Sequence, residues 1–137
     1  MITPVLYVKD LEASLVFYAD KMGFKPIGDS MPGPDGKPAF SAVRRDDSEV
    51  WLQRIPERTD AAPNFELHIR LTADADIQAI YDQMCSRGVS LYMPLKEEFW
   101  GEMTFGVTDL DGFRWRFAKQ IREVSVDEMM AASSKGS

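Results

Sequence analysis

The chain holds a single cysteine and a single histidine in 137 residues, and each scarcity removes a class of chemistry. Cys85 alone can close no intramolecular disulfide and anchor no cysteine-rich zinc site. It falls on a predicted helix without a basic neighbour, and His68 is the one imidazole, so no nucleophilic triad is available. Positive charge is also in deficit: 16 Lys and Arg face 22 Asp and Glu, for a net charge of −6. A nucleic-acid partner needs a basic surface, so that class is excluded. Glycine-rich phosphate loops are missing, since GPDGKP (33–38) has neither the spacing nor a following helix. No apolar run reaches the length of a membrane span, and MITPVLYVKD shows no leader pattern, which points to the cytoplasm.

What is present reads as an ordinary globular domain, 45% hydrophobic and 28% charged, with enough chain for one core. ITPVLYV (2–8) has the apolar, β-branched density of a strand. Asp10 then stands as an N-cap, Leu11, Leu15, Tyr18 and Met22 recur at helical spacing, and Gly23 stops the helix. FKPIGDS (24–30) reads as an edge strand because of Pro26, MPGPDGKP (31–38) as a turn, and AFSAVRR (39–45) and EVWLQRI (49–55) as strands. After the polar PERTDAAPN (56–64) the same order returns. FELHIRL (65–71) is a strand, and the next helix carries Ile77, Ile80, Tyr81 and Met84 on one face. VSLYMPL (89–95), GEMTFGV (101–107) and GFRWRFAK (112–119) are strands. The spacing thus predicts an α+β chain of two tandem βαβββ modules, 1–55 and 65–121, joined by the linker 56–64. Residues 122–137 form a tail in which VDEMMAA suits a short helix or frayed turn and SSKGS looks disordered.

VLYVKDLEASLVFYADKMGF at the front and FWGEMTFGVTDLDGFRWRF at the back resemble the glyoxalase, bleomycin-resistance and extradiol dioxygenase proteins, the vicinal oxygen chelate superfamily. In that family the first stretch is a strand feeding a helix with a Phe-Tyr pair and a terminal Gly-Phe. The second is a closing hairpin with an Asp-Pro-Asp-Gly turn; here Leu110 replaces the proline. The resemblance implies that each module curls its strands into a half-barrel sheet. Two modules, commonly from partner chains of a homodimer, then enclose a cup lined by the concave strand faces.

Strand parity says which side chains face such a cup. Leu6 and Val8 pack under the helix, leaving Thr3, Val5 and Tyr7. Val50 and Leu52 pack, leaving Glu49, Trp51 and Gln53. Phe65, Leu67, Ile69 and Leu71 share one side of the fifth strand, leaving Glu66, His68 and Arg70. Phe113, Trp115 and Phe117 pack, leaving Arg114 and Arg116.

Metal-dependent members of the family draw His, Gln or Glu ligands from four such positions. Carried over one by one, these fall on Thr3, Trp51, Glu66 and Arg116. Only Glu66 is a donor, and a guanidinium has no lone pair to give, so the reading is metal-free, with an Arg116–Glu66 charge pair in place of the ion. A register shifted by two would instead gather Glu49, Glu66 and His68 for a divalent ion.

Tyr7, Trp51 and Trp100 offer flat faces for a planar or cationic ligand. Trp51 also suits a dimer interface, Trp100 a plug over the sheet end, and His68 an ordinary hydrogen-bonded wall. The first expectation is therefore a non-catalytic, cytoplasmic, homodimeric binding protein of the bleomycin-resistance type. It would hold a small molecule, an antibiotic among the options, through Tyr7, Trp51, Gln53, Glu66, His68, Trp100 and Arg116, between acidic walls. Neither a nucleic acid nor a membrane is a partner. The alternative is an enzyme of the same fold, using the displaced metal set or metal-free acid/base chemistry through His68.

Overall fold

A computed structural model of the chain describes residues 1–57 and 64–134. It divides into two compact units: Met1–Pro63 with Asp109–Phe113, and Asn64–Thr108 with Arg114–Ser137. The elements run β1 (Val5–Val8), α1 (Leu11–Asp20), β2 (Lys25–Pro32), β3 (Pro38–Arg45), β4 (Ser48–Arg54), β5 (Glu66–Arg70), α2 (Ile77–Ser86), β6 (Ser90–Glu97), β7 (Glu102–Thr108), β8 (Arg114–Gln120) and α3 (Val126–Ser134). The α+β order of two βαβββ modules is thus the observed one. Each module forms a four-stranded mixed sheet, ordered β1-β4-β3-β2 and β5-β8-β7-β6.

In the first unit Asp10 caps α1, its carboxylate accepting the amide of Ala13 at 3.1 Å. The helix lies over β2, β3 and β4. Leu6, Val8, Val43, Val50 and Leu52 on the sheet and Leu11, Phe17, Tyr18 and Met22 on the helix side are all buried. Each large aliphatic chain withdrawn in this way contributes about 1.5–3 kcal/mol before the cost of ordering it. The expected helix face is turned by part of a step: Phe17 and Ser14 are buried, while Leu15 is only half-buried. Phe17 and Tyr18 there join an aromatic cluster, with Tyr18 edge-on to Phe17 at 5.7 Å and to Phe24 at 5.5 Å. The Tyr18 hydroxyl donates to buried Asp109, whose other oxygen accepts the amides of Asp111 (3.0 Å) and Phe113 (2.8 Å). Burial pushes the Asp109 carboxyl upward, with those three donors opposing. The amide of Lys9 donates to Asp111 at 3.0 Å, so the 109–113 turn packs as part of the first unit.

In the second unit Asp76 caps α2 through the amide of Ala79. Ile77 and Met84 are buried, whereas Ile80 and Tyr81 are half-buried. Tyr81 meets Phe105 edge-on at 5.2 Å, and Phe105 stacks on Phe117 at 5.2 Å. Phe65 departs from expectation: it precedes β5 and is exposed, so the strand's packed side begins at Leu67.

The tail residues VDEMMAA belong to α3, started by Ser125, whose hydroxyl accepts the amide of Glu128 while donating to its carboxylate. Most of the linker expected over 56–64 and the last residues of the SSKGS tail (58–63 and 135–137) lie outside the described residues. No helix among the described residues is long and apolar enough to cross a membrane.

Candidate functional site

Each sheet has one side under its helix and one side turned away, and the expected site residues fall on the two outward sides. On the first sheet, β1 and β4 run parallel with Val5 opposite Trp51 and Tyr7 opposite Gln53. Antiparallel β3 sets Ala42 beside Trp51 and Phe40 beside Gln53. Tyr7, Trp51 and Gln53 therefore share one face with Val5 and Phe40. Tyr7 is 49% exposed and Trp51 38%, with Ile27 and Met31 of β2 also exposed. The indole is fixed at both ends: its N–H donates to Glu49 Oε2 at 2.9 Å, and its ring meets Phe40 edge-on at 5.5 Å. Glu49 also pairs with Arg44 at 3.2 Å, and the Trp51 and Arg44 donors hold its carboxyl below the usual range.

The second sheet is different. Parallel β5 and β8 set His68 opposite Arg116, while antiparallel β7 sets Gly106 opposite Arg116 and Thr104 opposite Ala118. The outward face thus has a floor of small residues, Thr104, Gly106 and Ala118, over which larger chains lie. A Cβ on Gly106 would meet the Tyr92 ring at 2.4 Å, so only glycine lets that ring cross β7. The Tyr92 hydroxyl donates to Glu66 Oε2 at 2.7 Å, and its pKa is pushed up to about 12, first by burial and then by Glu66, with Arg116 opposing. Arg116 Nε approaches Glu66 Oε1 at 3.2 Å, an ion-pair contact without the alignment of a hydrogen bond, and Nη1 lies 3.9 Å from Glu98.

Two carboxylates that sequence reasoning missed organise the rest. Buried Glu98 accepts the Thr104 hydroxyl at 2.8 Å and faces Lys96 at 3.6 Å. Buried Glu102 accepts the Trp100 indole N–H at 2.6 Å and stands 3.4 Å from His68 Nε2 and 3.3 Å from Arg70 Nε. Glu102 was legible in GEMTFGV, where alternation puts Glu102, Thr104 and Gly106 on one side. Glu98 sits in the hairpin loop, which has no such period. On this sheet Glu66 and Arg116 meet in one group with Tyr92 and Glu98, and His68 and Trp100 meet in a second group around Glu102, while Tyr7, Trp51 and Gln53 lie on the other sheet. The walls of the second face are paired with cations rather than acidic, because Arg116, Lys96 and Arg70 each face a carboxylate.

The charge pair expected between Arg116 and Glu66 is formed. The family's four ligand positions hold one donor, Glu66, and its neighbour is a cation, so they do not fit a divalent ion. No three His, Cys, Asp or Glu side chains among the described residues are grouped to hold one.

Two tandem βαβββ modules, each with a helix on one side of a four-stranded sheet, define the class of vicinal oxygen chelate folds. The chain belongs to the Glyoxalase/Bleomycin resistance protein/Dioxygenase superfamily, whose sequence pattern matches residues 2–117. Among its relatives is the uncharacterized protein Mb0911c of Mycobacterium bovis, 27% identical over 144 residues, covering 97% of this chain and 91% of the relative. A glyoxalase/bleomycin resistance protein/dioxygenase from Alicyclobacillus acidocaldarius has the same fold, with a TM-score of 0.71 at 17% identity, covering 95% of each chain. So does the bleomycin resistance determinant encoded on transposon Tn5, with a TM-score of 0.67 at 22% identity, covering 88% of this chain and 97% of that one.

Proposed function

We propose that this chain is a small-molecule binding protein of its superfamily, capturing a planar or cationic compound on the bleomycin-resistance pattern without chemical turnover. The observation that carries this reading is the outward face of the first sheet. Trp51 is exposed yet held in place by Glu49 and Phe40, so a stacking surface stands ready with little ordering left to do. Tyr7 extends that surface and Gln53 beside it supplies hydrogen-bonding groups. The ionised Glu49 adds attraction for a cationic ligand, and stacking on an aromatic face is worth about 0.5–2 kcal/mol per ring. On the second face Glu66 is paired with Arg116, and Glu102 faces Trp100, His68 and Arg70, which favours a shaped wall over a metal centre. The Tn5 determinant supports the reading as a bleomycin resistance protein built on the same fold. The homodimer implied by the family and a cytoplasmic setting, where the exposed Cys85 thiol stays reduced, complete the proposal.

Titration of tryptophan fluorescence with bleomycin, a cationic glycopeptide, tests it. Saturable quenching at micromolar drug, mostly lost in Trp51→Ala, is the expected result; no quenching in that range overturns the reading. The enzymatic alternative rests on His68, whose Nε2 faces Glu102. A proton-transfer role would appear as turnover lost in His68→Gln with drug quenching unchanged.

A further inference from the structure

The Glu102 corner of the second face has more built into it than a wall requires. Its carboxylate is buried, accepts the Trp100 indole N–H at 2.6 Å, and has His68 Nε2 at 3.4 Å and Arg70 Nε at 3.3 Å within ion-pair distance. With Nε2 turned to a carboxylate, the imidazole proton belongs on that nitrogen, and Nδ1 is left as an acceptor. Arg70 approaches Glu102 with Nε at 3.3 Å, and its side chain is 80% exposed, so much of the guanidinium is open to water. A guanidinium so exposed can take a carboxylate in bidentate fashion. Arg70 also lines a cleft of about 380 Å³, together with Arg122 and Lys119. Lys119 is tied to the Ala75 carbonyl at 2.5 Å and faces Asp74, and Glu123 is the one acidic residue of the lining. In a chain of net charge −6, a cleft with three cations and one acid in its lining runs against the overall sign.

We propose that this corner binds a small carboxylic acid bearing a neighbouring hydroxyl, with the carboxylate on the Arg70 fork and the hydroxyl donating to His68 Nδ1. His68 and Arg70 are two residues apart on the same side of β5, so their stems are about 7 Å apart. A two- to four-carbon hydroxy acid spans that interval with one hydrogen bond at either end. The site uses neither Trp51 nor Tyr7 and stands independently of the aromatic face.

The lone histidine makes the test direct, because the chain gives one set of imidazole proton resonances. Full-length protein is titrated with sodium lactate at about pH 8, where free imidazole is neutral, against sodium propionate and sodium chloride at matched ionic strength. A six-heavy-atom ligand should give a Kd near the millimolar range, and loss of the hydroxyl bond should weaken propionate about tenfold. Saturable lactate shifts that disappear in Arg70→Gln, a change at an exposed side chain, are the expected result. Shifts no larger than those from chloride overturn the proposal. So does propionate binding as tightly as lactate, since the hydroxyl then finds no partner at His68. Bleomycin quenching of Trp51 is read in a separate experiment, so failure of either site leaves the other standing.

Discussion

The two sheets share an outline and differ in what their outward faces do with polar groups. On the first, Val5, Tyr7, Ile27, Met31 and Trp51 are exposed, and the charge pair of Arg44 with Glu49 lies at the β3–β4 hairpin end in contact with water. On the second, small floor residues let Tyr92, Arg116, Glu98 and Glu102 lie down across the strands, so carboxylates are buried and each meets a cation. The same module therefore gives an open stacking surface once and a closed polar network once. Apolar surface left uncovered calls for something to cover it, whereas a satisfied network resists being rearranged.

The sharpest way to break this contrast is to remove a charge from the closed face. Arg116→Ala leaves Glu66 and buried Glu98 without their shared cation and should cost about 2–3 kcal/mol, read as a lower midpoint in urea unfolding. Gly106→Ala comes next: the new methyl meets Tyr92 at 2.4 Å and should cost about 1–2 kcal/mol by pushing the phenol off Glu66. The phenol itself gives a pH signature. Raised to about 12, Tyr92 adds stability that is intact below the ordinary tyrosine pKa near 10 and is lost as pH climbs from there through about 12. Absorbance at alkaline pH should show one phenol ionising late, and Glu66→Gln should bring it down. The smallest effect belongs to the open face, where Arg44→Ala should change stability by no more than about 0.5 kcal/mol. Equal losses from Arg44→Ala and Arg116→Ala would erase the distinction between the two faces.

Strand parity was readable because burial acts on alternate residues. Leu6 and Val8, Val50 and Leu52, and Trp115 and Phe117 are buried as their alternation implies, with Tyr7, Trp51, His68 and Arg114 on the other side. Helix faces were less legible: Phe17 is buried beside Tyr18 while Leu15 is only half-buried, a choice between two apolar residues that spacing alone does not make. In the site, Glu66 and Arg116 were predictable as neighbours from their strands. Their third partner was not: Tyr92 reaches Glu66 from β6, whose pairing with β7 shifts register on both sides of Met93, and no period survives such an irregularity. Glu98 reached the network from a loop, where position depends on turn geometry that hydropathy does not encode.

The stretch Asp109–Phe113 lies late in the chain and packs with its beginning, giving Tyr18 a hydroxyl acceptor and Lys9 an amide acceptor. Severing the gene ahead of Asn64 would consequently not liberate a self-sufficient front half. That fragment would lack five residues of its own packing, with the socket beside Tyr18 open to water. A synthetic peptide spanning the missing turn is the natural complement for it.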